Sequence, residues 1–262
     1  MIYDTYYLNK DIKYMISRYI YEYDMSKANI SVLYAGGIIN KDEYNYYYNL
    51  PKSKREVEIG IRRKDREFDK TLSSLIQEYR IRFIKENNIP DEKILSIKND
   101  ALFIIDKEPS ITKFDNVVEF VQKNKYTSYY NLNNLEIYYS NDSLNEIITF
   151  DVKGISDNKL NLHLDYFIDF LYNTFEYFES KDKDTVLRYI DNFYNKYIRR
   201  ELDIGYYREF NSSSEYSLYS KSKFFKFQII DPKLIDKINI SCNQSIIRDL
   251  YSIAASEILN KN

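Results

Sequence analysis

Two aspartates, Asp24 and Asp100, each stand at the end of an apolar segment that is typical of a buried strand. A charged carboxylate in such a place is unfavourable unless something neutralises it. Two carboxylates brought together from separate strands are the minimum set for holding Mg²⁺, a hard cation whose coordination is usually completed by waters and substrate phosphates. This chemistry suits phosphoryl transfer. Spacing alone favours a simpler alternative, in which Asp24 caps the following helix and Asp100 makes a turn.

A cationic stretch lies between the two aspartates. From residue 52 to residue 66, seven basic residues accompany three acidic ones. Arg and Lys on one face of a helix bind phosphate groups well, whether of a triphosphate or of a nucleic-acid backbone. A solvated helix face without a ligand explains the same pattern, and this alternative stays open.

The overall composition restricts the remaining chemistry. The chain has 262 residues, of which 44% are hydrophobic and 30% charged, as is typical of a folded globular protein. The formal net charge is −2, so any site for a polyanion must be local. One cysteine, Cys242, and one histidine, His163, are too few for an internal disulfide or a histidine-rich zinc site.

The sequence predicts neither export nor insertion into a membrane. The amino terminus lacks the apolar stretch of a signal peptide. The longest charge-free run near it, from Ala28 to Asn40, has 13 residues, whereas a bilayer requires roughly 20. Heavy use of Asn, Lys, Ile and Tyr suggests an A/T-rich genome, such as that of a phage or a low-GC bacterium. We therefore expect a cytoplasmic protein, located in the host cytoplasm if a phage encodes it.

The hydrophobic pattern predicts the elements that carry the first aspartate and the cationic stretch. Residues 8–17 are predicted to be helical, and the alternation over residues 19–23 predicts a strand that ends on Asp24. The helical pattern at about residues 40–88 predicts an insertion of two helices, with a break at Pro51.

The rest of the chain completes an α+β fold. Two short apolar runs flank Asn99 and Asp100 and predict a strand, a tight turn and a second strand. Alternating segments over residues 117–153 predict further strands of a mostly antiparallel sheet. Beyond residue 156 the hydrophobic period becomes helical. We therefore predict a sheet domain over residues 1–156 and a helical region over residues 157–262.

The two aspartate segments resemble the palm motifs of family B DNA polymerases. YDMSKANISVL is similar to the first motif through Tyr23, Asp24, Ala28 and Ser31, and IKNDALFII is similar to the later motif Asp-x-Asp-Ser-x-Phe through Asp100 and Phe103. Downstream, KNKY and DVKG follow in the order of the family's Lys-Lys-x-Tyr and Lys-Gly elements. Lys98 stands in the place of the later motif's first Asp, and the fingers motif Lys-x-x-x-Asn-Ser-x-Tyr-Gly is missing from the sequence.

The resemblance implies a palm-like sheet over residues 1–156 and a thumb-like region over residues 157–262. It also implies a nucleotidyltransferase that acts on nucleic acid through two Mg²⁺ (or Mn²⁺) ions. The residues that would hold the metal ions are Asp24 and Asp100, helped by the carbonyl group of Met25. The residues that would bind substrate are Lys52, Arg55, Arg62 and Arg63 for the nucleoside triphosphate and Lys153 for the primer strand.

A function of a different class stays open. Lys98 and the missing fingers motif favour a non-catalytic protein, which binds nucleic acid or a partner on a degenerate palm scaffold. Its partners would be other replication or phage proteins. If the site is active, the ammonium group of Lys98 is expected to favour the charged form of Asp100.

Overall fold

The computed structural model describes residues 4–133, 135–142, 147–180, 183–210, 215–217, 224–226 and 232–259. The helices are α1 (Ala28–Ala35), α2 (Lys41–Asn49), α3 (Lys52–Arg62), α4 (Arg66–Glu86), α5 (Asp157–Leu160), α6 (Asp169–Glu179), α7 (Lys183–Ile198) and α8 (Ser241–Leu259). The strands are β1 (Tyr6–Leu8), β2 (Tyr14–Met25), β3 (Ile94–Lys98), β4 (Ala101–Ile105), β5 (Lys113–Phe114), β6 (Val118–Leu132), β7 (Leu135–Asp142), β8 (Ile147–Lys153), β9 (Glu215–Ser217) and β10 (Phe224–Lys226).

Eight of these strands form one antiparallel sheet, so the predicted α+β class is confirmed. The strand order is β1-β3-β4-β2-β6-β7-β8, with β5 paired to β6, while β9 pairs with β10. By its internal contacts the chain divides into a first unit, residues 1–12 and 18–126, and a second unit, residues 13–17 and 127–262. The likeness of residues 1–156 to a palm and of residues 157–262 to a thumb stays a prediction.

The first unit buries one face of its strands against helices. Tyr21 and Tyr23 of β2 belong to its core, and the Tyr23 ring lies 5.5 Å from that of Phe83 in α4. The Phe83 ring lies in turn 4.2 Å from that of Phe120 in β6. Burial of aromatic rings from both layers fixes α4 against the sheet.

The segment of residues 40–88 holds three helices rather than the predicted two. The break before Pro51 is present, because the residue before a proline prefers extended backbone, and Leu50 has φ −70° and ψ 144°. A second break follows α3. There the side chain of Asp65 accepts hydrogen bonds from the backbone N–H groups of Glu67 and Phe68, at 2.8 and 3.2 Å, and so starts α4 as a new helix.

The predicted helix over residues 8–17 is wrong. The strand β1 ends at Leu8, and the side chain of Asn9 accepts a hydrogen bond of 3.2 Å from the backbone N–H of Asp11. Such a local turn competes with a helix for the backbone donors. The strand β2 then begins at Tyr14, upstream of the predicted start at Tyr19.

The second unit packs helices on the strands β7, β8 and the end of β6. The helical periods predicted beyond residue 156 are confirmed by α6, α7 and α8. The Tyr130 ring of β6 stacks on that of Phe175 in α6, with 4.0 Å between centroids. In the described ranges, we find no helix with the length and apolar character needed to span a bilayer.

Candidate functional site

The register of the sheet brings the two aspartates together. Strands β2 and β4 are antiparallel neighbours, and Asp24 lies opposite Ala101. Asp100 immediately precedes Ala101, in the turn that joins β3 to β4. Asn99 provides the left-handed backbone of that turn, with φ 54°, a conformation that Asn tolerates well. The two acids therefore stand at the same end of neighbouring strands, as the sequence predicts.

Of the two simpler roles, a turn residue for Asp100 and a helix cap for Asp24, only the first agrees with the structure. Asp100 does lie in a turn, and its carboxylate accepts a hydrogen bond from its own backbone. Asp24 is not the cap of α1, because the residue at the capping position is Lys27, in left-handed backbone with φ 48°. The fold thus gives Asp24 no capping role.

A polar cavity of about 470 Å³ surrounds the acids, and we call it the carboxylate cavity. Its charged lining residues are Asp24, Asp100, Glu56, Lys27, Lys52, Arg55 and Lys123. Met25, Ser26, Ala28 and Asn29 complete the lining. Five of the residues predicted for the site, namely Asp24, Asp100, Met25, Lys52 and Arg55, thus line the same cavity.

Burial makes the charge of both acids unfavourable. It is the largest cause that raises the pKa of Asp24, and the neighbouring Asp100 raises it further. Burial also raises the pKa of Asp100, and the charges of Arg80, Lys52 and Lys123 act in the opposite direction. A positively charged ligand would relieve both effects, because it would stabilise the two ionised carboxylates.

Lys123 forms an ion pair with Asp24, and it is not among the site residues predicted from the sequence. Its Nζ lies 3.9 Å from Oδ2 of Asp24, with 49% of the lysine side chain and 33% of the aspartate side chain exposed. It belongs to the KNKY segment of β6, but only the pairing of β6 within the sheet brings it to Asp24. The charges that lower the pKa of Asp100 include those of Arg80, Lys52 and Lys123.

A third carboxylate, that of Glu22, acts on Asp24 through its charge. Glu22 is buried, and its Oε2 accepts hydrogen bonds from Asn124 Nδ2 at 2.6 Å and from the Tyr126 hydroxyl at 2.8 Å. Glu22 and Asp24 are two residues apart on β2, so their side chains share a face. Its charge contributes to the raised pKa of Asp24.

The donor chemistry of the pair fits Mg²⁺ or Mn²⁺. Two desolvated carboxylates are hard oxygen donors, and the cavity has room for waters and phosphate oxygens as further ligands. Within the described ranges, however, no cluster of three or more Asp, Glu, His or Cys side chains could hold a metal ion. A metal ion bound here would therefore depend on ligands from its substrate.

Three of the predicted substrate residues lie elsewhere. Arg62 is 3.8 Å from a carboxylate oxygen of Glu43, and its guanidinium lies over the Phe68 ring. Arg63 donates to Asp69 at 2.6 Å and lines a second cavity, which shares Asp100 with the first. Lys153, in the second unit, pairs with Asp151 at 2.6 Å. Intramolecular carboxylates thus already engage all three cations.

A protein-family model described as "Bacteriophage PBS1 gene 130 protein" matches residues 1–256. The chain belongs to this family. Of the two origins that the composition suggested, a phage or a low-GC bacterium, the match supports the phage. No curated protein matches the chain.

Proposed function

We propose that this phage protein is a polymerase-like nucleotidyltransferase. The observation that carries the proposal is the pair of desolvated carboxylates, Asp24 and Asp100, at neighbouring strand ends within one cation-lined cavity. The order of strand, inserted helices and hairpin agrees with the resemblance to family B polymerase palms. The partners would be nucleic acid and a nucleoside triphosphate.

The residues of the cavity divide between two tasks. Asp24 and Asp100, with the carbonyl group of Met25, would hold Mg²⁺ or Mn²⁺, which when bound supplies charge stabilisation to the reacting phosphate. Lys52, Arg55 and Lys123 would bind the triphosphate, since they supply positive charge around the two acids. Lys123 would exchange its ion pair with Asp24 for one with a phosphate oxygen. Arg62, Arg63 and Lys153 are assigned no role in the carboxylate cavity, because they do not line it.

Primer extension with Mg²⁺ or Mn²⁺ tests the proposal. We expect extension by the wild type and none above the no-enzyme background for Asp24→Asn or Asp100→Asn. Asp11→Asn is the matched control, because it removes the same charge from an exposed residue of the same unit. Extension that survives both site substitutions, or an inactive wild type on DNA and RNA templates alike, would reject the proposal.

A non-catalytic binding protein is the second candidate. The ion pair of Lys123 with Asp24 favours it, because an ammonium group there partly replaces the charge of a metal ion. This candidate predicts that nucleic-acid binding survives the loss of both acids. Replacing Lys52, Arg55 and Lys123 by Met should weaken binding and reduce its salt dependence by about one unit of slope for each lost phosphate contact.

A further inference from the structure

A second cavity of the first unit carries a buried arginine. We call it the arginine cavity; its volume is about 390 Å³, within the range of roughly 300–1,000 Å³ that is usual for small-molecule sites. Its polar lining includes Thr5, Asn29, Arg63, Ser73 and Arg80. Asn29 and Asp100 also line the carboxylate cavity, so the two cavities adjoin.

Arg80 has an incomplete set of partners. Its side chain is only 2% exposed, and Nη1 donates to the backbone carbonyl of Asp4 at 3.2 Å. In the part of the chain that the structure describes, its Nε has no hydrogen-bond partner. A buried guanidinium with an unsatisfied N–H is unfavourable, because the group has lost its hydrogen bonds to water without replacing them all. Burial lowers the pKa of Arg80, which is further evidence that its charge is poorly compensated.

We infer that the arginine cavity binds a phosphate group of a nucleotide or of a nucleic-acid strand, with Arg80 as its buried cation. The lining supplies the donors that a phosphate requires: two guanidinium groups, the hydroxyls of Thr5 and Ser73, and the amide of Asn29. The guanidinium charges exceed that of the one acid, Asp100. Arg63 keeps its pairing with Asp69 through Nε, which leaves its terminal nitrogens for the ligand. This inference does not depend on the proposed catalytic activity.

The rim of the arginine cavity fits the rest of such a ligand. Tyr6 lines it, and 68% of that residue is exposed. An exposed aromatic ring stacks on a nucleobase with little preference for sequence. Ile76 adds apolar surface beside the polar donors. Phosphate at Arg80 and a base on Tyr6 would together define a nucleotide-sized ligand.

Two adjacent serines of α4 allow a matched test. Ser73 lines the arginine cavity, whereas Ser74 is exposed and does not line it. Ser73→Asp puts a negative charge beside the phosphate, and Ser74→Asp makes the same change of net charge on the same helix. Inorganic phosphate, dAMP, adenosine and a short single-stranded oligodeoxynucleotide are the probes, titrated by calorimetry in EDTA to exclude metal ions.

We expect Ser73→Asp to weaken phosphate and dAMP binding about tenfold, because the new carboxylate repels a phosphate bound a few ångströms away. Ser74→Asp should change the affinity less than about twofold. Stronger binding of dAMP than of the oligonucleotide would identify a free nucleotide as the ligand, and the reverse order a strand. Equal affinities in the two variants, or no binding of any phosphate probe to the wild type, would overturn the inference.

Arg80→Lys provides an independent variant that keeps the charge. It should weaken phosphate binding, since an ammonium group lacks the fork of donors that the guanidinium presents. Lys85→Arg, on the exposed side of α4, is its control. Because these titrations need no metal ion, phosphate binding that depends on Ser73 and Arg80 in a protein without extension activity would reject only the proposed function. Extension without such binding would reject only the phosphate cavity.

Discussion

Replacing either acid of the carboxylate cavity by Asn should stabilise the protein at neutral pH in the absence of metal ions. Burial raises the pKa of both Asp24 and Asp100, which means that the folded protein disfavours their charges relative to the unfolded chain. Asn is similar in size and has no charge. The substitution therefore removes the desolvation penalty and leaves the packing nearly unchanged.

The size of the gain in stability for Asp24→Asn follows from the exposure of Asp24 and from its ion pair with Lys123. Full burial of a carboxylate is unfavourable by several kcal/mol. The side chain of Asp24 keeps 33% of its surface exposed, and Lys123 lies 3.9 Å away. At about that distance, attraction contributes roughly 1 kcal/mol in water and roughly 4 kcal/mol near a protein surface. Most of the penalty is thus offset, which leaves on the order of 1 kcal/mol, or about 2–4 °C in Tm.

The two substitutions should not be additive. Each single variant removes one desolvation penalty and also the repulsion between Asp24 and Asp100. The double variant can remove that repulsion only once, so its gain should be smaller than the sum of the two single gains. A gain equal to the sum would mean that the carboxylates do not interact.

The gain should depend on pH in a fixed direction. An acid with a raised folded-state pKa does not affect stability where it is protonated in both states, below about pH 4. As the pH rises from about 4 to the raised pKa, the wild type loses stability relative to the Asn variant, and the difference is constant above the raised pKa. Thermal unfolding in EDTA across this range, with Asp11→Asn as control, measures the difference. A wild type more stable than Asp24→Asn at about pH 7 would refute the reasoning.

Three further predictions concern stability. Asn87→Ala should lower the free energy of unfolding by about 3 kcal/mol in chemical denaturation, because the buried amide makes four hydrogen bonds; a loss below about 1 kcal/mol would contradict it. Gly205→Ala should lower Tm, because its new Cβ overlaps the Tyr166 ring. Gly60→Ala in α3 should raise Tm, because its new Cβ meets open space and Ala favours a helix. The reverse order of the two Tm values would be inconsistent with the packing. Asp115→Asn should destabilise the folded protein mainly above about pH 4, because hydrogen bonds from Arg82 and Tyr79 lower the pKa of Asp115. A loss of stability that persists in strong acid would contradict this prediction.

Much of the fold could be predicted because its signals are local. Asn99 and Asp100 between two apolar runs identify the β3–β4 hairpin, and the helical period identifies α6 and α7. The wrong helix over residues 8–17 and the missed start of α4 share one cause. In both places an Asn or Asp side chain, Asn9 or Asp65, binds backbone N–H groups and ends one element or starts another.

The candidate site could be predicted only in part, because its charges come from several distant segments. The juxtaposition of Asp24 and Asp100 follows from two strands that each end on an acid. The proximity of Lys123 depends on the register of β6, and that of Arg80 on the packing of α4, neither of which a single sequence encodes locally. Arg80, Lys52 and Lys123, whose charges lower the pKa of Asp100, are all remote from it in sequence.

The energetics of the carboxylate pair argue for a ligand rather than for a structural role. Asp24 does not cap α1, and both acids have a raised pKa despite the cations around them. Asn would serve the β3–β4 turn as well as Asp100 does, because Asn also favours turns and carries no charge to desolvate. Positive charge added between the two carboxylates would offset the part of the desolvation penalty that the neighbouring cations leave. A divalent cation brought by a polyphosphate would meet this requirement, because the basic residues of the same cavity would bind the phosphates while the acids would bind the cation.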